Sequence, residues 1–154
     1  MPLKRTLQLL AIPALILVLV AVVWLLPRWL TSPQAANWLQ PENCDLSLGP
    51  CRVNDGVRSL EFELAPRQVR SLEPLEFRVR TEGMDTTTVN IQLEGRDMYM
   101  GINQLQLQPV PGEPGLWRGV GELAVCSTGE MIWQARVQTA GSDNLNALFE
   151  FRAR

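Results

Sequence analysis

From Val57 onward the chain alternates apolar and polar residues with a period of two. Leu60, Phe62 and Leu64 alternate with Ser59, Glu61 and Glu63. Leu75, Phe77 and Val79 alternate with Glu76, Arg78 and Arg80, and Val89, Ile91 and Leu93 with Asn90, Gln92 and Glu94. A strand points successive side chains to opposite faces, so each run predicts a strand with one buried and one wet face. Pro66, Pro74, Gly83 and Gly95 punctuate the runs as turn residues. Met98, Met100 and Ile102 share one parity, and Leu105 and Leu107 the other. One extra residue near Gly101 returns all of them to one face, which predicts a β-bulge there. After the breaker-rich stretch Pro109–Gly115, Trp117, Leu123 and Val125 share a parity with Gly119 and Gly121. Met131, Trp133, Ala135 and Val137 form another inward row, and Leu145, Ala147, Phe149 and Phe151 the last. With no helical period in this region, about seven strands predict an all-β fold, an immunoglobulin-like antiparallel β-sandwich over residues 57–154.

The first residues follow a different pattern. Between Arg5 and Arg28 no residue is charged, and Leu7 to Leu26 is almost entirely Leu, Ile, Val and Ala. At about 1.5 Å per residue, roughly 22 helical positions reach about 33 Å, the thickness of a bilayer's hydrocarbon core. Residues 1–30 therefore read as one N-terminal transmembrane α-helix with its flanks. Lys4 and Arg5 precede it, which favours a cytoplasmic N-terminus and a C-terminal domain in the periplasm of a bacterial inner membrane, single-pass. Trp24 and Trp29 suit the outer interface. The rival reading, a cleaved signal peptide, has a shorter apolar core of about 7 to 15 residues. Residues 31–56 are polar, carry Pro33 and Pro41, and read as a juxtamembrane linker ending in a loop bounded by Cys44 and Cys51.

Charge narrows the partners. Beyond residue 30 the chain has eleven arginines against sixteen acids, a formal charge of −5. Nucleic acid needs a concentrated basic surface and is not an expected partner. Histidine is absent and no lysine follows Lys4. That removes the commonest general base, the commonest metal ligand and any Ser-His or Cys-His nucleophile pair. Most acids alternate with apolar residues and face water, so no enzyme is expected.

Three cysteines leave the pairing open. Cys44 and Cys51 flank Gly49-Pro50, where a turn brings them together; the alternative is a bridge from one of them to Cys126. A redox role for Cys44 and Cys51 fits poorly, since redox motifs place their cysteines two residues apart. Met98 and Met100 flank Tyr99 with strand spacing, which sets both thioethers on one side. Soft sulfur ligands select Cu(I). Met98, Met100, Cys126 and Met131 are thus a candidate all-sulfur metal site, with Met84 near if the strand ends meet. The plainer reading has the methionines filling irregular gaps in the core.

The segment Gly95-Arg-Asp-Met-Tyr-Met-Gly-Ile-Asn103, then Gly115-Leu-Trp-Arg-Gly-Val-Gly121 and Cys126-x-x-Gly-x-Met-x-Trp133, resembles the core of FixH-like and YtkA-like periplasmic domains. The resemblance spans roughly residues 57–139 and takes in the upstream anchor, but not the Cys44–Cys51 loop. It implies a membrane-tethered immunoglobulin-like domain, with copper-transporting ATPases and respiratory oxidase assembly as associations of the FixH-like proteins. The expected function is an accessory binding or assembly module whose partner is a membrane metalloenzyme or copper transporter. The alternative is a structural envelope protein-interaction domain without metal.

Overall fold

The computed structural model describes residues 15, 17, 19–22, 24, 38–101, 103–125 and 129–154. The chain divides into two compact units, Met1–Ala36 and Asn37–Arg154. In the first, residues 15, 17, 19–22 and 24 are helical with exposed side chains. The rest of the expected anchor Leu7–Leu26 lies outside the described residues. Among the described residues no helix is long and apolar enough to cross a membrane.

The second unit is all-β. Its strands are β1 (Trp38–Leu39), β2 (Cys51–Asn54), β3 (Ser59–Ala65), β4 (Leu75–Glu82), β5 (Thr86–Gly95), β6 (Asn103–Pro109), β7 (Leu116–Gly121), β8 (Met131–Gly141) and β9 (Asn146–Ala153). Seven of them carry the rows read from the sequence. The other two, β1 and β2, form within the stretch expected to be linker. In β2 the alternation is present but brief: Cys51 and Val53 are buried, Arg52 and Asn54 exposed.

The strands join in the order β1-β9-β8-β5-β6-β7-β4-β3-β2. All neighbours are antiparallel except β1 and β9, where Trp38 and Leu39 run parallel to Asn146 and Ala147. The β6 strand turns the sheet on itself. Its first part, Asn103–Leu107, pairs with β5, whereas Gln108 and Pro109 pair with β7. The two halves therefore face each other, and Phe62 of β3 meets Phe149 of β9 with ring centroids 4.9 Å apart. Gly119 makes the corner possible. A Cβ there would lie 2.6 Å from Leu107 Cδ2 and 3.2 Å from Leu105 Cδ2, so only the bare backbone lets both leucines lie over β7.

The core is the set of inward rows. Leu60, Phe62, Phe77, Val79, Val89, Ile91, Trp133, Val137 and Phe149 are essentially inaccessible. The outer faces are laced by ion pairs. Glu76 sits between Arg78 and Arg118, with Arg118 at 2.8 Å. Burial works to raise the Glu76 carboxyl, but the two guanidiniums outweigh it and leave it below the usual range.

Among the described residues, the wrapped sheet does not close by strand pairing on the side away from β6. Its two edges there are β2 and β1/β9. A parallel bridge from Val69 to Ala153 and the segment Cys44–Cys51 occupy this seam. Cys44 and Cys51 are joined by a disulfide, with Cα atoms 5.8 Å apart, and Leu46 between them is only 2 % exposed. The loop thus drives one leucine into the core where the sheet is open.

Candidate functional site

The candidate methionines gather at one end of the β-domain. The ladder between β5 and β6 ends at the pair Leu93 and Asn103. The Arg96 N–H still bonds the Ile132 carbonyl at 2.9 Å, and the chain then leaves the sheet. It returns through Gly101, whose φ of 81° is a left-handed conformation suited to glycine. Met98 and Met100 consequently lie in a loop, not on a strand with a bulge as their spacing predicts. The reason is local: Arg96 and Asp97 pair with each other at 3.3 Å, and Arg96 with Glu150 at 3.6 Å, so the charges face water on the outer side of the sheet. The Arg96 guanidinium is held above its ordinary range, chiefly by Asp97.

Met98 is 43 % exposed and Tyr99 81 % exposed, whereas Met100 and Met131 are half-buried. Gly95 explains how the last two meet. A Cβ added at Gly95 would stand 3.1 Å from Met100 Cγ and would collide with the Met131 methyl and the Met98 carbonyl. The Met100 and Met131 side chains therefore come together over the bare α-carbon of Gly95. The loop encloses a shallow cavity of about 310 Å³ with Met98, Tyr99, Met100 and Glu94 in its wall. Cys126, the fourth expected ligand, lies outside the described residues. Met84 is far from this site. Its Sδ stands 3.9 Å from the Thr139 hydroxyl, near the opposite end of β8. Among the described residues no group of three or more His, Cys, Asp and Glu could hold a metal. What the structure brings together at Gly95 is two methionine side chains, through the Met131 methyl and Met100 Cγ, with Met98 exposed beside them.

Sequence parity places Val125 inside, yet it is 56 % exposed while Leu123 is buried. The β7 strand ends at Gly121; the alternation carries on through Leu123 and is lost at Val125. A second concavity, about 690 Å³, opens at the seam between the disulfide loop and β9. Five arginines line it: Arg67, Arg70, Arg96, Arg152 and Arg154. Sequence reading missed it because no two of these sit in a recognisable motif.

No protein-family model matches the chain, and no curated protein matches it either. Among solved structures it is similar to an engineered protein, at 20% identity and a TM-score of 0.40, over 60% of this chain and 20% of that one. It is also similar to a DUF4785 family protein from Legionella pneumophila, at 14% identity and a TM-score of 0.40, over 61% of this chain and 27% of the other. The chain thus spans only about a fifth to a quarter of the length of these neighbours.

Proposed function

We propose that this chain is a non-enzymatic accessory module of the bacterial inner membrane. In this reading Leu7–Leu26 anchors it with the N-terminus in the cytoplasm. The C-terminal part is an immunoglobulin-like β-sandwich in the periplasm that handles Cu(I) for a membrane metalloenzyme or copper transporter. The observation that carries the reading is the meeting of Met100 and Met131 over Gly95, beside exposed Met98, in a domain without histidine. Thioethers favour Cu(I) over harder ions, and a surface loop lets cargo enter and leave. The Cys44–Cys51 disulfide supports an oxidising compartment. The resemblance to FixH-like and YtkA-like domains supports the same assignment.

A second reading, an envelope protein-interaction domain without metal, is favoured by one observation: Met100 and Met131 also pack against the hydrophobic core. The two separate cleanly by experiment. The full-length chain in non-ionic detergent is titrated with Cu(I) held reduced by ascorbate, against a chromogenic chelator, so that the disulfide stays closed. The copper reading expects one bound equivalent, and at least tenfold weaker binding in Met100→Leu/Met131→Leu, a substitution that conserves volume. Equal binding by the two proteins ends the copper reading and leaves the second.

A further inference from the structure

The outer faces of the two halves of the sheet differ in kind. On the half built from β2, β3, β4 and β7 the wet positions are charged and pair among themselves: Arg52 with Glu61, Arg78 with Glu63, Arg118 with Glu76. On the other half, one cross-strand row is made of carboxamides alone. Gln106 of β6 stands opposite Asn90 of β5, Asn90 opposite Gln138 of β8, and Gln138 opposite Asn146 of β9. Residues opposite each other share a face, and strands lie about 4.8 Å apart, so the four amides form a line of about 14 Å. Gln106, Asn90 and Gln138 are exposed and Asn146 is half-buried. On the same face Gln92 donates to Glu94 at 2.5 Å, and Gln134 to Glu150 at 2.9 Å. Among the described residues, the four carboxamides of the row have no such side-chain partner.

The row ends on an aromatic ring. Trp38 of β1 is the register partner of Asn146 and shares its face. The Arg136 guanidinium lies 5.6 Å from the centre of the Trp38 ring, and its charge is met by Glu94 at 3.3 Å. That contact holds the indole from one side. Trp38 is only half-buried, so part of the ring still meets solvent.

The chemistry of the row selects its occupant. A carboxamide offers donors and an acceptor but no charge. A charged partner finds no counter-charge in this row. An apolar partner strips water from the amides and leaves them unpaired, at a cost for each. A peptide strand laid on a sheet face turns its side chains toward it, because its backbone groups point sideways. A pyranose ring instead carries hydroxyls around its rim and C–H bonds on its faces, which suit amides and an indole in turn. An N-acetyl group adds a donor and an acceptor that match a carboxamide. We propose that the outer face of β6, β5, β8 and β9 binds an extended, neutral, N-acetylated glycan chain. The chain lies across the strands along the amide row, with one sugar ring against Trp38. The proposal uses none of Met98, Met100 or Met131 and stands apart from the metal reading.

The test is isothermal titration calorimetry of the full-length chain, in a non-ionic detergent without a sugar head group. The probe is chitohexaose, and maltohexaose is the curved control without N-acetyl groups. Chitohexaose is expected to bind saturably, more tightly than maltohexaose, and with an affinity that added salt leaves unchanged. Asn90→Ala/Gln138→Ala is expected to weaken it about tenfold, and Gln106→Ala about threefold. Arg118→Ala, on the charged half, is expected to change nothing. All four replaced side chains are exposed, and an unchanged circular dichroism spectrum confirms that each variant is folded. Tryptophan emission is expected to shift on binding, and the shift to vanish in Trp38→Phe. No saturable binding of chitohexaose, equal binding of maltohexaose, or full binding by the double variant overturns the proposal. So does an affinity that falls steeply with salt, which makes the ligand of this face a charged one.

Discussion

Opening the Cys44–Cys51 bridge is the most direct probe of how the seam is kept shut. The cysteines are seven positions apart, and chain-entropy arithmetic for so small a loop gives about 2.4 kcal/mol of stabilisation. For roughly 118 residues from Asn37 to Arg154, the entropy of unfolding is about 0.25 kcal/mol per degree, so the melting temperature should fall by about 10 °C. Cys51 is buried, so alanine is the right replacement; serine would add an unpaired hydroxyl. Leu46→Ala, at a buried position, should cost about 3 kcal/mol alone. If the bridge works by seating Leu46, the two losses overlap. The triple variant should then be about 1 kcal/mol less destabilised than the sum. The assay is thermal unfolding of the full-length chain in detergent, followed by the β-sheet circular dichroism signal. Reduction of the parent protein with dithiothreitol should reproduce the cysteine-pair variant. A fall of less than about 3 °C, or strict additivity with Leu46→Ala, refutes the idea that the bridged loop acts as a plug.

Gly95→Ala should destabilise the domain by about 1–3 kcal/mol in urea unfolding, because the new methyl collides with the Met131 methyl and the Met98 carbonyl. Val125→Asp should change stability by less than about 0.5 kcal/mol, since Val125 is exposed, whereas Leu123→Asp should prevent folding; comparable losses would mean that the alternation extends to Val125 after all. Asp55 is lowered to about 2, first by its hydrogen bonds from Arg58. Because the folded pKa lies below the unfolded one, its contribution is present above about pH 4 and is lost as pH falls through about 2. Melting temperatures of the parent and Asp55→Asn should therefore converge over that interval; a constant gap would mean that ionisation of Asp55 plays no part.

The inward rows were legible because a half-buried strand imposes a two-residue period that no other element shares. Leu60, Phe62 and Leu64 face the core as their parity requires, and so do Trp133, Ala135, Val137 and the row ending at Phe151. Legibility failed where the backbone leaves the sheet. Parity can be counted through any residues, but it has structural meaning only while each residue is paired. Met98 and Met100 lie past the last residues of β5, and Val125 four residues past the end of β7, two beyond Leu123, the last residue whose facing follows the parity. The β1 strand escaped for the opposite reason: with Trp38 and Leu39 alone it is too short to show a period.

The two candidate sites differ in the same way. The methionine pair was half legible, because Met131 opens a strand whose direction the alternation sets, while Met100 depends on a loop. The arginine cleft was not legible at all. Arg67 and Arg70 precede β4, Arg96 follows β5, and Arg152 and Arg154 end the chain. They converge only because Val69 bridges to Ala153, Ser71 N–H bonds the Arg154 carbonyl at 2.8 Å, and Arg96 N–H bonds the Ile132 carbonyl. Those contacts are set by the order in which the strands wrap, and a wrapped sheet whose edges are β2 and the short β1 beside β9 brings distant segments to one seam. Charge gathered there is a property of the topology, so mutating the exposed seam arginines should leave the core rows, and with them the fold, intact.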